Sequence, residues 1–522
     1  MQSTDLVNYR RYTAVWIFAA TAIRLLLATQ LELGIDEVYY WNYVIYPDWS
    51  YFDHPLMVGV LGDIFSLHHT FQSDFLLRLG PICLSALSTW IIFRIGTKVK
   101  DERTGFYAAL LFTGSIYCSI IAGFSYIPDG PLIIFWLLAL NLMLDFLGAE
   151  TIDSVNRQKI VLFGLYAGLA MISKYQGAFL WVGVFAYVFL YNRNWLKEFS
   201  FYLSGVISAI LLLPILFWNL NNDFVTFNYH SGRVTPKWEF RADYFFTELS
   251  GQFAYNNPVV YVLIVIAMVA LFKGRKFIDT KFHRILLSPA VPLWLVFTGF
   301  SVFRSTLPHW SAPAFVSLII LAAAYWAGHE NQKKAYFWIK AGAYFLAFLL
   351  AVALWLINYS PLQLGKKSDI THFGEDDFTQ DLYGWRQVRM AFEKVAGREE
   401  QAGTMPAGAG ILTYKMFPAA HLDFYVAEPN NRKLQALGTL EDIHMYAWIY
   451  NYRNGLEKGQ DYYHVALSNL YREPQELFGN YFERVEPMDT VEISRAGKPM
   501  RYAMFYRLRN YQGNYVNPLP PK

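Results

Sequence analysis

The chain has 522 residues, of which 55% are hydrophobic, 18% are aromatic and only 16% are charged. An ordinary soluble domain carries about 25% charged residues, and one core could not hide this much apolar surface. A membrane can accommodate it, because lipid solvates the excess and Trp and Tyr favour the interfaces. The net charge of +3 gives no electrostatic footprint for nucleic acid. The composition therefore excludes an ordinary soluble protein and predicts a polytopic membrane protein without a nucleic-acid partner.

In chain order, eleven apolar stretches approach the ~20 residues that a helix needs to cross a bilayer. The predicted spans are 12–31, 76–96, 104–126, 130–148, 159–174, 176–191, 199–219, 258–272, 285–303, 310–327 and 339–358. Those at 159–174, 176–191 and 258–272 are short. The first span follows Arg10 and Arg11, and a cleaved signal peptide is its competing interpretation. Its length and the spans that follow favour a helix that stays in place.

The distribution of Lys and Arg predicts the orientation of these spans, because short cytoplasmic loops are rich in both residues. One set of loops holds most of them: Arg10, Arg11, Lys98, Lys100, Arg103, Arg157, Lys159, Arg193, Lys197, Lys273, Arg275, Lys276, Lys281, Arg284, Lys333 and Lys334. The first loop on the other side, 32–75, has neither residue. We therefore expect a cell inner membrane location, a cytoplasmic N-terminus and an extracytoplasmic segment after residue 359.

The tail from 360 to 522 is polar and charged, and it contains no further apolar span. Its segments 410–414 and 502–506 are typical of strands, and 384–396 is typical of a helix. About 150 residues are enough to form a separate core. We predict a mainly α protein with a transmembrane bundle over 1–359 and a C-terminal extracytoplasmic α+β domain over 360–522.

The predicted outer loop 32–75 concentrates acidic residues directly after the first span. Five carboxylates lie in its first part, those of Glu32, Asp36, Glu37, Asp48 and Asp53. A solvated acidic loop is one interpretation. Asp36 and Glu37, however, precede the sequence Val-Tyr-Tyr-Trp, and such aromatic flanks indicate an interfacial helix whose acids face a cavity. Asp36 is therefore a candidate functional carboxylate.

A second acidic element surrounds Asp129, in the sequence Tyr-Ile-Pro-Asp-Gly-Pro between two apolar stretches. Two prolines around Asp-Gly favour a tight turn, so a structural turn at the membrane surface is one interpretation. The turn falls on the same predicted face as Asp36, and an ionisable group at membrane depth is a functional candidate.

Two cations interrupt apolar hairpins on that same predicted face. Lys174 ends one apolar stretch, and Arg304 follows another. Each could be an anchor whose charged head reaches the interface. Because Lys and Arg are scarce on this face, both are also candidates for binding a phosphate. Arg24, inside the first span, is expected to pair or to reach the interface rather than to bind a ligand.

Three histidines, His54, His230 and His309, also fall on the predicted outer face. Asp53 and His54, together with His230, could hold a divalent cation such as Zn or Mn. No close ligand spacing supports this, and hydrogen-bonded histidines are the alternative. The chain lacks a Walker A loop, a Rossmann glycine fingerprint and a Gly-x-Ser-x-Gly elbow. No cofactor is therefore indicated beyond an optional divalent metal.

Taken together, these motifs resemble the GT-C glycosyltransferases, in particular the bacterial family-39 relatives of protein O-mannosyltransferases and the lipid A aminoarabinose transferases. The matching segments are Asp36 to Trp41, Tyr51 to Pro55, Pro128 to Pro131, Ser173 to Tyr175, Arg304 with Pro308 to Trp310, and Asp381 to Trp385. One segment departs from the pattern. The aminoarabinose enzymes tend to have Glu-Lys-Pro where this chain has Asp53-His54-Pro55, so His54 would replace a lysine as a weaker, pH-dependent cation.

The resemblance implies an inverting transfer of a sugar from a polyprenyl-phosphate donor to a lipid, glycan or protein acceptor. It implies that Asp36 is the base or orients the acceptor, supported by Glu37 and Asp129. It places the donor phosphate against Lys174, Arg304 and His54, and it makes Tyr40, Asp53 and His309 substrate-binding residues. The partners implied are the lipid-linked donor, the acceptor and membrane lipids.

A transporter or flippase of a lipid-linked or anionic substrate is the main alternative, since it too would hold charges at membrane depth. Transporters usually show paired half-repeats and broken central helices, whereas here the acids gather in one loop and one turn. A scaffolding protein would not need this asymmetry of acids and bases.

Overall fold

A computed structural model of the chain describes residues 8–234 and 239–519. The chain divides into two compact units. The first comprises Met1–Leu26 and Asp48–Leu350, and the second comprises Leu27–Pro47 and Ala351–Lys522. The beginning of the predicted outer loop, with Asp36 and Glu37, therefore groups with the tail, whereas the sequence placed it in the domain 1–359. Composition located the tail, but it gave no sign that Leu27–Pro47 belongs to the same unit.

The first unit is built from helices, and six helices are long and apolar enough to cross a membrane. They are Tyr9–Gln30, Asp74–Val99, Asp129–Phe146, Phe199–Leu220, Thr280–Phe300 and Gln332–Asn358. A bent pair, Ala242–Tyr255 and Pro258–Phe272, turns by 104° and would be a seventh span if it is counted as one. The other helices of this unit are Met57–Phe65, Glu102–Gly114, Ser154–Ser173, Phe179–Tyr191, Val225–Val234 and Ala312–Ala327, with shorter turns at Tyr117–Ile121, Tyr175–Ala178, Arg193–Lys197 and Pro308–Trp310. The chain is a multi-pass membrane protein.

Every one of the eleven predicted spans falls on helical segments, but length and apolarity alone support six or seven spans. The predicted span 104–126 is interrupted because Ser115 has an extended backbone, which ends the helix Glu102–Gly114 after 13 residues. The helix Ala312–Ala327 has 16 residues and reaches only about 24 Å at 1.5 Å per residue. A hydrocarbon core is about 30 Å thick, so this helix by itself is shorter than a full-length span.

Close packing in this unit depends on small side chains where helices touch. A Cβ atom added at Gly164 would collide with the backbone oxygen of Ser204. The Ser204 hydroxyl donates to the carbonyl of Ile160 at 2.6 Å, and the Ser208 hydroxyl donates to that of Gly164 at 2.5 Å. Small and hydroxylated residues are the usual contacts between helices in lipid. They hold the helices Ser154–Ser173 and Phe199–Leu220 together.

The second unit contains a five-stranded sheet with the order β2-β1-β3-β5-β4. The strands are β1 (Ile411–Thr413), β2 (Leu434–Ala436), β3 (Tyr462–Leu467), β4 (Phe482–Arg495) and β5 (Lys498–Tyr511). Strand β1 pairs in parallel with β2 and β3, whereas β5 pairs antiparallel with β3 and β4. The helices are Ile35–Ile45, Trp385–Gln401, Met416–Leu422, Leu440–Ile443, Tyr446–Tyr452 and Pro474–Phe478, with single turns at Phe378–Asp381, Asp423–Ala427, Glu428–Asn430 and Ser468–Leu470. The predicted α+β fold of the tail is confirmed, including both strands and the helix.

The core of the second unit forms between the helix Trp385–Gln401 and the sheet. Phe392 on that helix packs edge-on against Tyr463 of β3, with ring centroids 5.3 Å apart, and Phe505 of β5 is buried beside it. At the end of the sheet, Ala496 and Gly497 both have positive φ, 49° and 71°. Such a two-residue turn matches the twist of a hairpin, and it fixes the register between β4 and β5.

Candidate active site

Asp129 and Lys174 form a buried ion pair in the first unit. The Lys174 ammonium donates to both carboxylate oxygens of Asp129, at 2.9 Å to Oδ1 and 2.7 Å to Oδ2. The Tyr117 hydroxyl donates to Oδ1 at 2.8 Å. The side chains of Lys174 and Asp129 are only 5% and 2% exposed, so Lys174 is not an anchor that reaches for the membrane surface. An ammonium has three donors, and this pairing uses two of them.

The positions of this pair follow from the local folding of the chain. Asp129 lies in the first turn of the helix Asp129–Phe146, directly after Pro128. The positive end of the helix dipole stabilises an anion at that position. Lys174 ends the helix Ser154–Ser173 and has an extended backbone, which lets its side chain turn into the protein interior. The sequence predicted both residues on one face but did not predict their pairing.

Two predicted histidines interact electrostatically with this ion pair. Burial lowers the pKa of His54 to about 3, and the nearby Lys174 adds to the effect while Asp53 opposes it. Burial and then Lys174 lower the pKa of His309 to about 4, against the opposing charge of Asp129. Both imidazoles are therefore neutral at pH 7. This differs from the pH-dependent cation that the resemblance implied for His54, because desolvation outweighs the attraction of Asp53.

His230 contacts the backbone near Asp53, and this contact does not create a metal site. The His230 Nε2 atom lies 3.0 Å from the Asp53 carbonyl oxygen, and its ring packs edge-on against Tyr175 with centroids 5.5 Å apart. Across residues 8–234 and 239–519, no group of three or more His, Cys, Asp or Glu side chains could hold a metal ion. The divalent metal suggested for Asp53 and His230 thus gains no support.

Arg304 lies after the helix Thr280–Phe300 and lines a cavity of about 390 Å³. Its guanidinium donates to the backbone oxygen of Gly232. Arg241 lines the same cavity, where it pairs with Asp243 at 2.8 Å and lies 4.2 Å over the ring of Tyr244. Two guanidinium groups therefore line one cavity, and this arrangement can accept an anionic group.

The other predicted acids lie in the second unit, on the helix Ile35–Ile45. Glu37 is buried and its carboxylate accepts the Gly34 N–H at 2.9 Å, which caps the helix from within its first turn. Asp36, one residue earlier, is exposed, whereas the eight residues from Glu37 to Val44 are all buried. In this helix Asp36 is exposed, whereas Glu37 stabilises the first turn. An exposed carboxylate such as that of Asp36 can accept a proton or orient a hydroxyl group.

Two carboxylates that the sequence did not assign hold this helix against the tail. Asp381 accepts the Ile35 N–H at 3.0 Å. Glu32 accepts the backbone N–H groups of Trp385 and Arg386 at 2.7 and 3.1 Å, at the start of the helix Trp385–Gln401. Each segment thus caps a helix of the other. Asp381 begins the segment Asp-Leu-Tyr-Gly-Trp that carries part of the resemblance, and this segment was the feature of the sequence that could have identified it.

Asp381 lies in a strongly charged environment. Burial, with the negative charges of Asp36 and Glu37, raises its pKa to about 7, against the opposing Ile35 N–H and the Arg501 guanidinium. Burial also raises the pKa of Glu32, against the two backbone N–H groups that it accepts. The negative charge of Asp36 is thus one of the causes of the raised pKa of Asp381.

An aromatic stack supports the capped segment. Trp385 stacks on His421 with ring centroids 4.0 Å apart and planes 8° apart, and Arg501 lies 4.2 Å over the other side of the Trp385 ring. Tyr40 is 5% exposed and packs edge-on against Tyr39 and Tyr43. The aromatic residues after Asp36 therefore fill the core of this unit.

The remaining predictions for single residues are as follows. Arg24 pairs inside the first unit, where Nε donates to the Ser119 carbonyl at 3.0 Å and Nη2 to its hydroxyl at 2.8 Å. Cys83 and Cys118 are free thiols, the first exposed and the second buried. Tyr117, the hydroxyl donor to Asp129, was missed because a tyrosine in an apolar stretch carries no signal in the sequence.

Comparison with known proteins gives a family model that matches part of the chain, a distant relative and a fold. Residues 53–218 match the family described as dolichyl-phosphate-mannose-protein mannosyltransferase. The lipid A galacturonosyltransferase RgtD of Rhizobium johnstonii is 23% identical over 299 residues, which cover 56% of this chain and 60% of RgtD. The match thus spans less than two thirds of that relative.

The fold match covers nearly the whole chain. The structure of ArnT from Cupriavidus metallidurans bound to undecaprenyl phosphate superposes with a TM-score of 0.62 at 13% identity, over 97% of this chain and 99% of ArnT. The ArnT apo structure gives a TM-score of 0.60 over the same shares. The chain has the GT-C fold.

The GT-C assignment confirms the predicted resemblance and the predicted fold class. It rests on the match of residues 53–218 to the mannosyltransferase family model and on the ArnT-like architecture of the whole chain. The transporter alternative finds no support among these relatives. Within the GT-C fold of this chain, one unit carries the Asp129–Lys174 pair with its histidines, and the other carries the capped helix with Asp36.

Proposed function

We propose that this chain is an integral membrane glycosyltransferase. It moves a sugar from a polyprenyl-phosphate donor to a lipid, glycan or protein acceptor on the extracytoplasmic face, with inversion. The observation that carries the proposal is the first turn of the helix Ile35–Ile45. There Glu37 is committed to a helix cap and Asp36 remains exposed.

The chemistry requires one bond to form as another breaks. The acceptor oxygen attacks the anomeric carbon, the bond between that carbon and the phosphate oxygen breaks, and the electron pair leaves with the phosphate. Attack from the opposite side inverts the configuration. Asp36 takes the proton of a hydroxyl acceptor, a contribution of about 10²–10⁴ in rate. The GT-C fold shared with ArnT, whose structure holds undecaprenyl phosphate, supports a polyprenyl-phosphate donor.

The donor phosphate needs positive charge, and the cations of the first unit differ in what they can supply. Lys174 is neutralised by Asp129, so it offers one remaining N–H in a fixed direction. Arg304 lines a cavity and brings a guanidinium group to it. The neutral His54 and His309 offer hydrogen bonds without charge. Asp129 therefore positions Lys174, and Asp53 and Tyr40 are assigned to the substrate by resemblance.

A reconstituted assay tests this proposal. Purified protein in nanodiscs is given a panel of undecaprenyl-phosphate sugars with envelope lipids and glycans as acceptors, and the release of undecaprenyl phosphate is measured. Asp36→Asn should lower transfer by about 10²–10⁴-fold while it keeps the binding of undecaprenyl phosphate. Asp63→Asn is the matched control, because Asp63 lies in the same predicted outer loop and only pairs with the exposed His68.

Two results would contradict the proposal. Full transfer by Asp36→Asn would remove this residue from the reaction. Retention of the anomeric configuration, measured by NMR on the product, would exclude a single displacement. If the acceptor is a phosphate, which is already ionised, a milder loss in Asp36→Asn would indicate that Asp36 orients the acceptor instead.

A further inference from the structure

A cavity in the first unit lies apart from the candidate active site. It has a volume of about 410 Å³ and is lined by Arg10, Trp90, Arg94, Thr97, Lys98 and Asn141. Three helices form it: Tyr9–Gln30, Asp74–Val99 and Asp129–Phe146. Asn141 lies 12 residues after Asp129 on the same helix, which is about 18 Å at 1.5 Å per residue. The cavity is therefore at the other end of that helix from the Asp129–Lys174 pair.

The three cations of this cavity differ in how many of their N–H donors already bind other residues of the protein. Lys98 donates to the backbone and side-chain oxygens of Asn141 at 3.0 and 2.6 Å and pairs with Asp145 at 2.7 Å. Its three donors are thereby used. Arg10 donates to Glu102 through Nε at 2.8 Å, and this bond does not use its terminal nitrogens. The exposed Arg94 forms no hydrogen bond or ion pair with any residue of 8–234 or 239–519.

The position of the cavity along the helices indicates a membrane interface. Trp90, Arg94 and Lys98 lie in the last turns of the helix Asp74–Val99, within about 14 Å of its end. Arg10 lies in the first turn of the helix Tyr9–Gln30. Trp90 is 37% exposed and stacks on Phe93 with centroids 5.2 Å apart. A tryptophan at the end of a spanning helix is typical of the headgroup level.

We propose that this cavity binds the phosphodiester headgroup of an anionic phospholipid. Arg94 and the terminal nitrogens of Arg10 bind the phosphate, while Trp90 packs against the glycerol and the first methylenes of the acyl chains. Lys98 and Asn141, tied to each other, form the fixed wall of the site. Basic pockets between transmembrane helices are recognised binding sites for such headgroups.

The observations favour a lipid over a free phosphate ion. The cavity combines a guanidinium with an aromatic wall, whereas a small inorganic anion would need only the charged side. The site also does not depend on the proposed transferase reaction, because none of its residues is assigned to donor, acceptor or catalysis. Its failure would therefore leave the proposed function untouched.

A titration monitored by native mass spectrometry tests this site. The full-length protein in detergent is titrated with phosphatidylglycerol and, separately, with phosphatidylcholine, which has the same acyl chains and no net charge. Arg94→Gln should weaken phosphatidylglycerol binding by about tenfold to a hundredfold and leave phosphatidylcholine binding unchanged. Arg193→Gln is the matched control. Arg193 is an exposed arginine at another helix end, where it donates only to the Phe189 carbonyl at 2.9 Å.

Each outcome decides the proposal. Preference of the parent protein for phosphatidylglycerol, lost in Arg94→Gln and kept in Arg193→Gln, supports it. Equal binding of the two lipids by the parent, or equal behaviour of the two variants, overturns it. A third arm adds inorganic phosphate. Displacement of the lipid by millimolar phosphate would show a site for a free anion and would also overturn the proposal. Arg94→Gln should retain full transferase activity and thermal stability in detergent without added lipid, which separates a lost ligand from a damaged fold.

Discussion

Glu32 and Asp381 exchange helix caps: Glu32 accepts the first N–H groups of the helix Trp385–Gln401, and Asp381 accepts the first N–H group of the helix Ile35–Ile45. The two carboxylates lie 349 residues apart in the chain, one in each of the two segments that make up the second unit. A hydrogen bond to a charged group is worth about 1.5–3 kcal/mol. The exchange therefore ties the segment carrying Asp36 to the tail domain from both sides.

Removing the charge of Asp381 should change the pH dependence of stability. The pKa of this carboxyl is raised to about 7, so the folded state binds a proton that the unfolded state releases near pH 4. Stability is then lost as pH rises between about 4 and 7. Asp381→Asn keeps an oxygen that can accept the Ile35 N–H but cannot ionise. The melting temperature of the variant should therefore rise relative to the parent as pH increases from 4 to 8, as measured by differential scanning fluorimetry in detergent.

The control for this prediction is Asp369→Asn, an exposed tail carboxylate whose pKa is lowered to about 2 by hydrogen bonds from Thr371 and His372. That variant should show no gain in relative stability between pH 4 and 8. A difference between Asp381→Asn and the parent that is the same at all pH values would mean that only the hydrogen bond, and not the ionisation, matters.

The effects on stability of substituting Asp129 and Lys174 should be coupled, because the two side chains form a buried ion pair. Removing one member leaves the other buried and unpaired, which costs about 3–5 kcal/mol. Asp129→Asn and Lys174→Met should each lower the melting temperature and the expression level strongly. The double variant should be more stable than at least one single variant, because no unpaired charge remains. Fluorescence-detected size-exclusion chromatography after heating measures this.

Additive losses in the double variant would mean that Asp129 and Lys174 do not act as a pair. Tyr117→Phe is the graded control, because it removes one neutral donor at 2.8 Å from Asp129 and leaves the ion pair intact. It should cost about 1 kcal/mol, well below either charged variant. Activity of the stable double variant then reports whether Lys174 also serves the donor phosphate.

The sequence predicted most of the fold because its signals are local. Apolar length located the helices, and charge composition located the change at the tail. The GT-C resemblance also identified the candidate acidic and basic residues. The features that the sequence could not predict depend on contacts between distant segments. Nothing local indicates that the ammonium of Lys174 turns inward to Asp129, that Glu37 is used as a cap while Asp36 is exposed, or that residues 27–47 group with the tail.

The lengths of the individual helices were harder to predict than their positions. Apolar composition measures solubility in lipid, but a short helix buried among others has the same composition as a membrane span. The helix Ala312–Ala327 is buried along almost its whole length although it has only 16 residues. Its composition reflects the protein core as much as the bilayer.

Topology gives a prediction that bears on every outer-face assignment. Lys and Arg crowd one set of loops, so the N-terminus is expected in the cytoplasm and the tail outside. A reporter enzyme fused after residue 360 should be active only in the extracytoplasmic space, and one fused at Lys276 only in the cytoplasm. The opposite pattern would reverse the orientation and would place the Asp36 helix on the wrong side for a lipid-linked donor.

The last prediction concerns the charge that holds the donor. Arg304 and Arg241 line the same cavity, but Arg241 is neutralised by Asp243 at 2.8 Å. Arg304 donates to the Gly232 carbonyl. If the donor phosphate binds here, Arg304→Ala should lower the affinity for undecaprenyl phosphate by about tenfold to a hundredfold, and Arg304→Lys should recover part of it. Arg241→Ala should bind nearly as well as the parent, because the charge of Arg241 is already paired.

The measurement is binding of undecaprenyl phosphate to the purified variants in nanodiscs at two salt concentrations. Equal binding by Arg304→Ala and the parent would assign Arg304 to the fold alone, and the phosphate would then have to bind at Lys174 and the neutral histidines.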